Sequence, residues 1–278
     1  MSLLPTAFVN GVNLYYEVTG KGFPLVWCHE FAGSFKSWDA QVKFFSRHYK
    51  VITYNARGYP PSDVPTEPPA YSQEHSVEDL YQLLRHLGIR QAYVGGLSMG
   101  ANIALNFGIA HPDVAKALII AGRGAAITDR KSWESRIKNL ARRIENEGMK
   151  ATADYYTRGP TRRQLIRKDQ KSWQEFYEEF ASHSAIGSAL TLRGVILARQ
   201  TISGLESKLR QLAVPTLIMV GDEDEPRVGP ALWMKRYIPR SGLAVFPQTG
   251  HTINLEEPDL FNRVVLHFLT SVEAGSWA

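Results

Sequence analysis

The chain has 278 residues, 44% hydrophobic and 21% charged, a balance that gives one large core and excludes a collagen, a coiled coil and a disordered tail protein. The formal charge of +5 is uneven: residues 128–210 hold 17 Lys and Arg against 10 Asp and Glu, and the rest of the chain holds 15 against 17. Glu145, Glu147, Glu175, Glu178 and Glu179 sit among those cations, which fits a solvated mixed-charge helical surface better than a phosphate-binding stripe, so no nucleic-acid partner is expected.

Residues 8–17 carry Asn10-Gly11 between β-prone residues, the pair that a two-residue type I′ hairpin favours. Short apolar runs follow at 24–28, 50–54, 92–95, 117–121, 216–220 and 243–246. Because they are continuous rather than alternating, they predict parallel strands covered on both faces. Helix patterns lie between them. The clearest runs from Ser76, a candidate cap answered by Asp79, to Leu87, with Gly88 as the stop. Pro258 opens a closing helix with Leu260, Phe261, Val264, Val265 and Phe268 at helical spacing. The predicted fold class is α/β, a doubly wound, mostly parallel sheet.

From Thr128 to Leu212 the alternation fails, and no turn-bounded apolar run could serve as a strand. Thr128 or Asp129 can cap a helix with Trp133, Ile137, Leu140 and Ile144 on one stripe, and Trp173, Phe176, Tyr177 and Phe180 repeat the spacing. The expectation is an all-helical lid over 128–212, inserted between core segments 1–127 and 213–278.

Gly96-Leu97-Ser98-Met99-Gly100 follows a predicted strand and precedes a predicted helix. In such a G-x-S-x-G turn the glycines let the backbone reverse tightly while the serine hydroxyl projects outward. A serine needs a base and an orienting carboxylate. His251 follows the 243–246 run, and Asp222 and Asp224 follow the 216–220 run. Asp224 is favoured because the later residue reaches further into the loop above the sheet. His86, His111 and His267 belong to helices or helix ends, and His48, His75 and His183 to polar surroundings. The oxyanion donors expected are the backbone amides of Met99 and of Phe31, in the loop Cys28-His29-Glu30-Phe31. Three consecutive residues without a fourth ligand make no metal site, so no metal and no cofactor are expected.

These residues together resemble the α/β-hydrolase superfamily from the opening hairpin to the closing helix. The resemblance places nucleophile, acid and base at Ser98, Asp224 and His251, the acid three residues after Gly221. The family's His-Gly-x loop is similar to His29-Glu30-Phe31, with Glu30 where glycine is usual. Asn55 to Ser62 is similar to the family's Asp-x-Arg-Gly-x-Gly-x-Ser turn, with Asn55 for the acid and Pro60 for the second glycine, and is read as structural. A serine elbow argues against epoxide hydrolases and haloalkane dehalogenases, and resembles the esterase, enol-lactonase and cofactor-free haloperoxidase branch.

What the resemblance implies is a serine hydrolase of a small ester or lactone; Glu30 near the cleft and the lid aromatics Trp133, Tyr155, Tyr156 and Trp173 are candidate substrate contacts, the aromatics serving equally to pack the lid onto the body. Two alternatives are a carbon-carbon bond hydrolase with the same triad and a ligand receptor without turnover. The single cysteine, Cys28, cannot form an internal disulfide, and the sequence shows neither a signal peptide nor an apolar run of about 18 residues. A cytoplasmic monomer or homodimer, without a membrane partner, is expected.

Overall fold

Asn10 and Gly11 take φ of 47° and 77°, the left-handed pair that a type I′ turn requires. Strand β1 (Thr6–Val9) thereby folds back onto β2 (Val12–Thr19), with Val9 opposite Val12. The computed structural model describes residues 5–124 and 130–277. Six further strands follow: β3 (Phe23–Cys28), β4 (Tyr49–Tyr54), β5 (Ala92–Leu97), β6 (Ala115–Ala121), β7 (Thr216–Gly221) and β8 (Ser241–Phe246). The sheet order is β1-β2-β4-β3-β5-β6-β7-β8. The β1–β2 and β2–β4 pairs are antiparallel and every other pair is parallel.

The apolar runs are continuous because both faces of the sheet are covered. Along β7, Leu217 and Met219 enter one core while Ile218 and Val220 enter the other, as the period of two demands. Helices α1 (Asp39–Phe45) and α11 (Pro258–Glu273) seal the first face with Phe45, Phe261, Val265 and Phe268. Helices α2 (Gln73–His86), α3 (Met99–Ala110) and α9 (Glu225–Tyr237) seal the second with Leu80, Leu83, Ile103, Phe107 and Met234. Each such side chain, fully buried, stabilises by about 1.5–3 kcal/mol. The fold class is α/β and doubly wound.

The start of α2 differs from the expectation. Ser72 in extended backbone is the cap, accepting from His75 N at 3.0 Å, while Ser76 donates its hydroxyl to the Ser72 carbonyl from inside the helix. A serine one turn into a helix can bond back four residues, so the cap and interior patterns look alike in sequence. Asp79 instead accepts Arg57 Nε at 2.7 Å and Nη2 at 2.5 Å, which ties the Asn55 to Ser62 turn to α2.

Between β6 and β7 the described residues contain helices and no strand. They are α4 (Arg130–Tyr156, bent at Gly148), α5 (Arg163–Lys168), α6 (Gln170–Ala181), α7 (Ala185–Leu190), a π-helical turn (Thr191–Leu197), a 3-10 turn (Ser203–Leu205) and α8 (Glu206–Arg210). The expected cap at Thr128 or Asp129 lies outside the described residues. Trp133 and Ile144 of the first predicted stripe are buried, as are Trp173, Phe176 and Phe180 of the second. Among the described residues no helix is long and apolar enough to cross a membrane.

Candidate active site

Ser98 connects β5 to α3 with φ 56° and ψ −102°, a conformation that costs a side-chain-bearing residue on the order of 1–3 kcal/mol. Close approach on both sides explains the flanking glycines: a Cβ on Gly96 would stand 2.3 Å from the Gly100 carbonyl carbon, and one on Gly100 would stand 1.9 Å from the Cys28 carbonyl oxygen. The elbow is pinned by Ser98 N donating to Ala121 O at 2.8 Å, and Asn102 N donating to Ser98 O at 3.1 Å starts α3. The positive end of that helix dipole therefore lies at the serine.

Asp224 is fully buried three residues beyond β7. His251 Nδ1 donates to its Oδ2 at 2.5 Å, and Arg227 Nη1 donates to its Oδ1 at 3.2 Å. Burial alone would raise the Asp224 carboxyl, but His251 and Arg227 beside it win and hold it below its ordinary range. Burial lowers His251 and the Asp224 charge opposes that, with Arg227 and Arg162 adding to the lowering. The result is a neutral imidazole whose Nδ1 proton is committed to Asp224, leaving Nε2 as the basic nitrogen. Asp222 is the turn residue of the pair, accepting Thr249 N at 3.1 Å.

The three predicted residues converge at one corner. Gly122 follows Ala121, the residue bonded to Ser98 N, and a Cβ at Gly122 would lie 3.3 Å from His251 Cε1. The imidazole thus sits over the end of β6, next to the elbow. The Ser98 hydroxyl forms no hydrogen bond to His251 among the described residues.

The loop after β3 is set by a buried histidine. Glu30 O can only accept and Ala56 N can only donate, so His29 carries its proton on Nδ1, donating to Glu30 O at 2.7 Å and accepting Ala56 N at Nε2 at 3.0 Å. Burial lowers its pKa to about 4, which fixes the neutral form. Gly33 N also donates to Glu30 O at 3.2 Å. Carbonyl and amide of one trans peptide point opposite ways, so holding Glu30 O on one side aims the Phe31 N–H to the other.

Ser98 and Phe31 border a cavity of about 1340 Å³ that is walled largely by the helical insertion and open to solvent. Trp133, Tyr155 and Tyr156 line it as expected. Two other expected contacts do not. Trp173 faces the interior of the insertion, its Nε1 donating to Thr157 O at 3.1 Å, because a large amphipathic ring with a carbonyl in reach is better buried than exposed. Glu30 does not line the cavity itself: Arg162, which does, holds it with Nη1 and Nη2 each 2.6 Å from one carboxylate oxygen. Both side chains are buried, and although burial favours the neutral acid, the guanidinium keeps Glu30 charged and below its ordinary range. His183 is not in polar surroundings either. The chain turns inward after α6, and the ring packs at 5.1 Å from Tyr59 and 5.5 Å from Phe180, its pKa lowered to about 4 by burial.

Several contacts that hold the His251 loop come from residues that the sequence pattern did not single out. Thr161 O, in the insertion, accepts the backbone amide of His251 at 2.9 Å. Glu256 brackets the same loop, accepting Gly250 N at 2.6 Å, Thr252 N at 3.0 Å and the Thr252 hydroxyl at 2.9 Å. Glu256 lies five residues after His251, and an acid inside a short apolar stretch was a usable signal. Thr161 and Arg162 carried none.

The model of a family described as alpha/beta hydrolase fold matches residues 24–258. The chain is 26% identical over 255 residues to a putative 2-succinyl-6-hydroxy-2,4-cyclohexadiene-1-carboxylate synthase of Bacillus subtilis, covering 89% of this chain and 90% of that protein. It is also 26% identical over 268 residues to 3-oxoadipate enol-lactonase 2 of Acinetobacter baylyi, covering 94% of each. The crystal structure of the enol-lactonase from Burkholderia xenovorans superposes with a TM-score of 0.85 at 25% identity, over 96% of this chain and all of that one. The family model spans most of the chain, from β3 to the start of α11, and the chain belongs to the alpha/beta-hydrolase fold family.

Proposed function

We propose that the protein is a serine hydrolase that cleaves a carboxylic ester or lactone through an acyl-enzyme. The observation that carries this reading is the strained Ser98 elbow opening into a cavity beside a neutral His251 held by buried Asp224. Ser98 Oγ attacks the carbonyl carbon as His251 Nε2 takes its proton, and Asp224 stabilises the imidazolium that forms. The amides of Phe31 and Met99, neither of which has an acceptor among the described residues, hold the oxyanion. His251 then protonates the leaving alkoxide. Water, deprotonated in turn by His251, attacks the acyl carbon and releases the acid. In a lactone the alkoxide and the acid remain one molecule.

The helical insertion acts as the lid of the cavity, with Trp133, Tyr155 and Tyr156 shaping the substrate. Hydrolysis of p-nitrophenyl esters from acetyl to decanoyl, run on wild type and on Ser98→Ala, tests the assignment. Turnover that vanishes in the variant supports it and its chain-length profile sizes the pocket. Equal turnover by both proteins removes Ser98 from the chemistry.

A further inference from the structure

The same cavity reaches a group of arginines, of which Arg123 and Arg199 have no part in this chemistry. Arg199, after the π-helical turn, lines it while only 8% exposed, and its Nε is buried without a hydrogen-bond partner. Arg227 also lines it, with Nη1 given to Asp224. Behind them Arg123, 1% exposed, gives Nε and Nη2 to Asn102 Oδ1 at 3.2 and 3.0 Å and keeps Nη1 buried and unpartnered. Arg123 precedes Gly124, which borders the cavity against the Arg227 side chain.

Among the described residues no carboxylate pairs with Arg123 or Arg199. Among the described residues the acid paired within the group is Asp224, which is shared with His251. Arg199 rests on the Trp133 ring at 5.2 Å, an attraction that offsets only part of the cost of burying a cation. Burial lowers Arg123 to about 9 and pushes Arg199 well down, with Arg123, Arg227 and Arg130 adding repulsion. Guanidinium gives up its proton too reluctantly for that to relieve the cost, which leaves an incoming anion as the way to offset it. Arg162, on the same cavity, shows the satisfied state: two carboxylate oxygens at 2.6 Å. A planar fork beside aromatic and aliphatic walls suits a planar carboxylate.

We propose that Arg199 and Arg227, backed by Arg123, form a carboxylate subsite, so that the substrate bears a free carboxylate apart from its scissile bond. That the substrate is an ester or lactone rests on the serine-hydrolase reading, whereas the anion site does not.

The test has a binding arm and a turnover arm. Glutarate, dimethyl glutarate and inorganic phosphate are titrated calorimetrically into wild type, Ser98→Ala, Arg199→Gln and Arg199→Lys. Glutarate is expected to bind wild type and Ser98→Ala alike. Its affinity should fall at least about tenfold in Arg199→Gln, and also in Arg199→Lys, which keeps the charge but loses the fork. The turnover arm compares kcat/KM for p-nitrophenyl hydrogen glutarate and p-nitrophenyl pentanoate, whose ratio should fall at least about tenfold in both Arg199 variants.

Undiminished glutarate binding in those variants, equal binding of the dimethyl ester, binding of phosphate alone, or an unchanged ratio would each overturn the subsite. Arg199-dependent glutarate binding without turnover of any ester keeps the subsite and removes the hydrolase reading. Turnover without glutarate binding or preference does the reverse.

Discussion

Ser98, Asp224 and His251 each stand within five residues of the end of a strand, whereas Thr161, Arg162 and Arg199 come from a helical insertion far from them in sequence. The sheet fixes its side chains by backbone geometry: an elbow at positive φ, a turn three residues after Gly221, a loop after β8. The insertion acts through contacts that span the fold, from Arg162 to Glu30 across 132 positions and from Thr161 to the His251 amide. Strand ends therefore place the three candidate catalytic groups. The insertion holds two of their loops in position and supplies the charge and aromatic surface of the cavity.

The sharpest way to break that division is at the elbow. Ser98→Ala should lower kcat by roughly 10^6 if the serine is the nucleophile, with an unchanged unfolding transition in urea, because only one hydroxyl is lost. A smaller but structural effect is expected where the two regions are joined. Arg162→Met leaves the buried Glu30 carboxylate unmatched and should cost about 3–5 kcal/mol of stability. The double variant Glu30→Leu/Arg162→Met should recover part of that loss in the same urea experiment. Burial raises Glu30 and Arg162 overrides it, holding it below its ordinary value, so in wild type the pair stabilises above the ordinary Glu pKa of about 4.3. That contribution is lost as pH falls through the depressed value. An equal cost for single and double variants would mean that the pair does not join insertion to core.

How much of this could be read from the sequence follows the same division. The hairpin, all six later strands and the elbow were legible, because Asn10-Gly11, turn-bounded apolar runs and G-x-S-x-G are local signals. The Asp224–His251 contact was also foreseeable, since strand-end loops of a parallel sheet gather at one edge. The start of α2 was placed one turn late because Ser72 and Ser76 both fit a cap. Glu30 and Trp173 were expected in the cavity, yet each found a closer partner: the guanidinium of Arg162, and the Thr157 carbonyl. Such choices depend on which surfaces meet after folding, and a cationic segment in sequence does not say which of its arginines will be buried.

Two finer effects would sharpen the account of how His251 is held. Glu256→Gln replaces one acceptor oxygen by a donor facing the amides of Gly250 and Thr252. It should cost about 1–3 kcal/mol in urea unfolding and should lower kcat more than it changes KM, since the loop it loosens carries His251, the proposed base.

The smallest effect expected is a shift in pH dependence. The groups facing His251 are Asp224, which raises its pKa, Arg227 and Arg162, which lower it, and Glu30, whose carboxylate is already matched by Arg162. Burial comes first and the net direction is down. In the proposed mechanism only the neutral imidazole accepts the Ser98 proton, so a depressed pKa would keep the enzyme competent at lower pH. The acid limb of kcat/KM should therefore fall below the ordinary histidine value of about 6.5. Arg227→Met removes one lowering charge and should move that limb to higher pH, toward the ordinary value. A limb at or above 6.5 in wild type, or one that does not move in Arg227→Met, would mean that the base is tuned by something other than burial and its arginine neighbours.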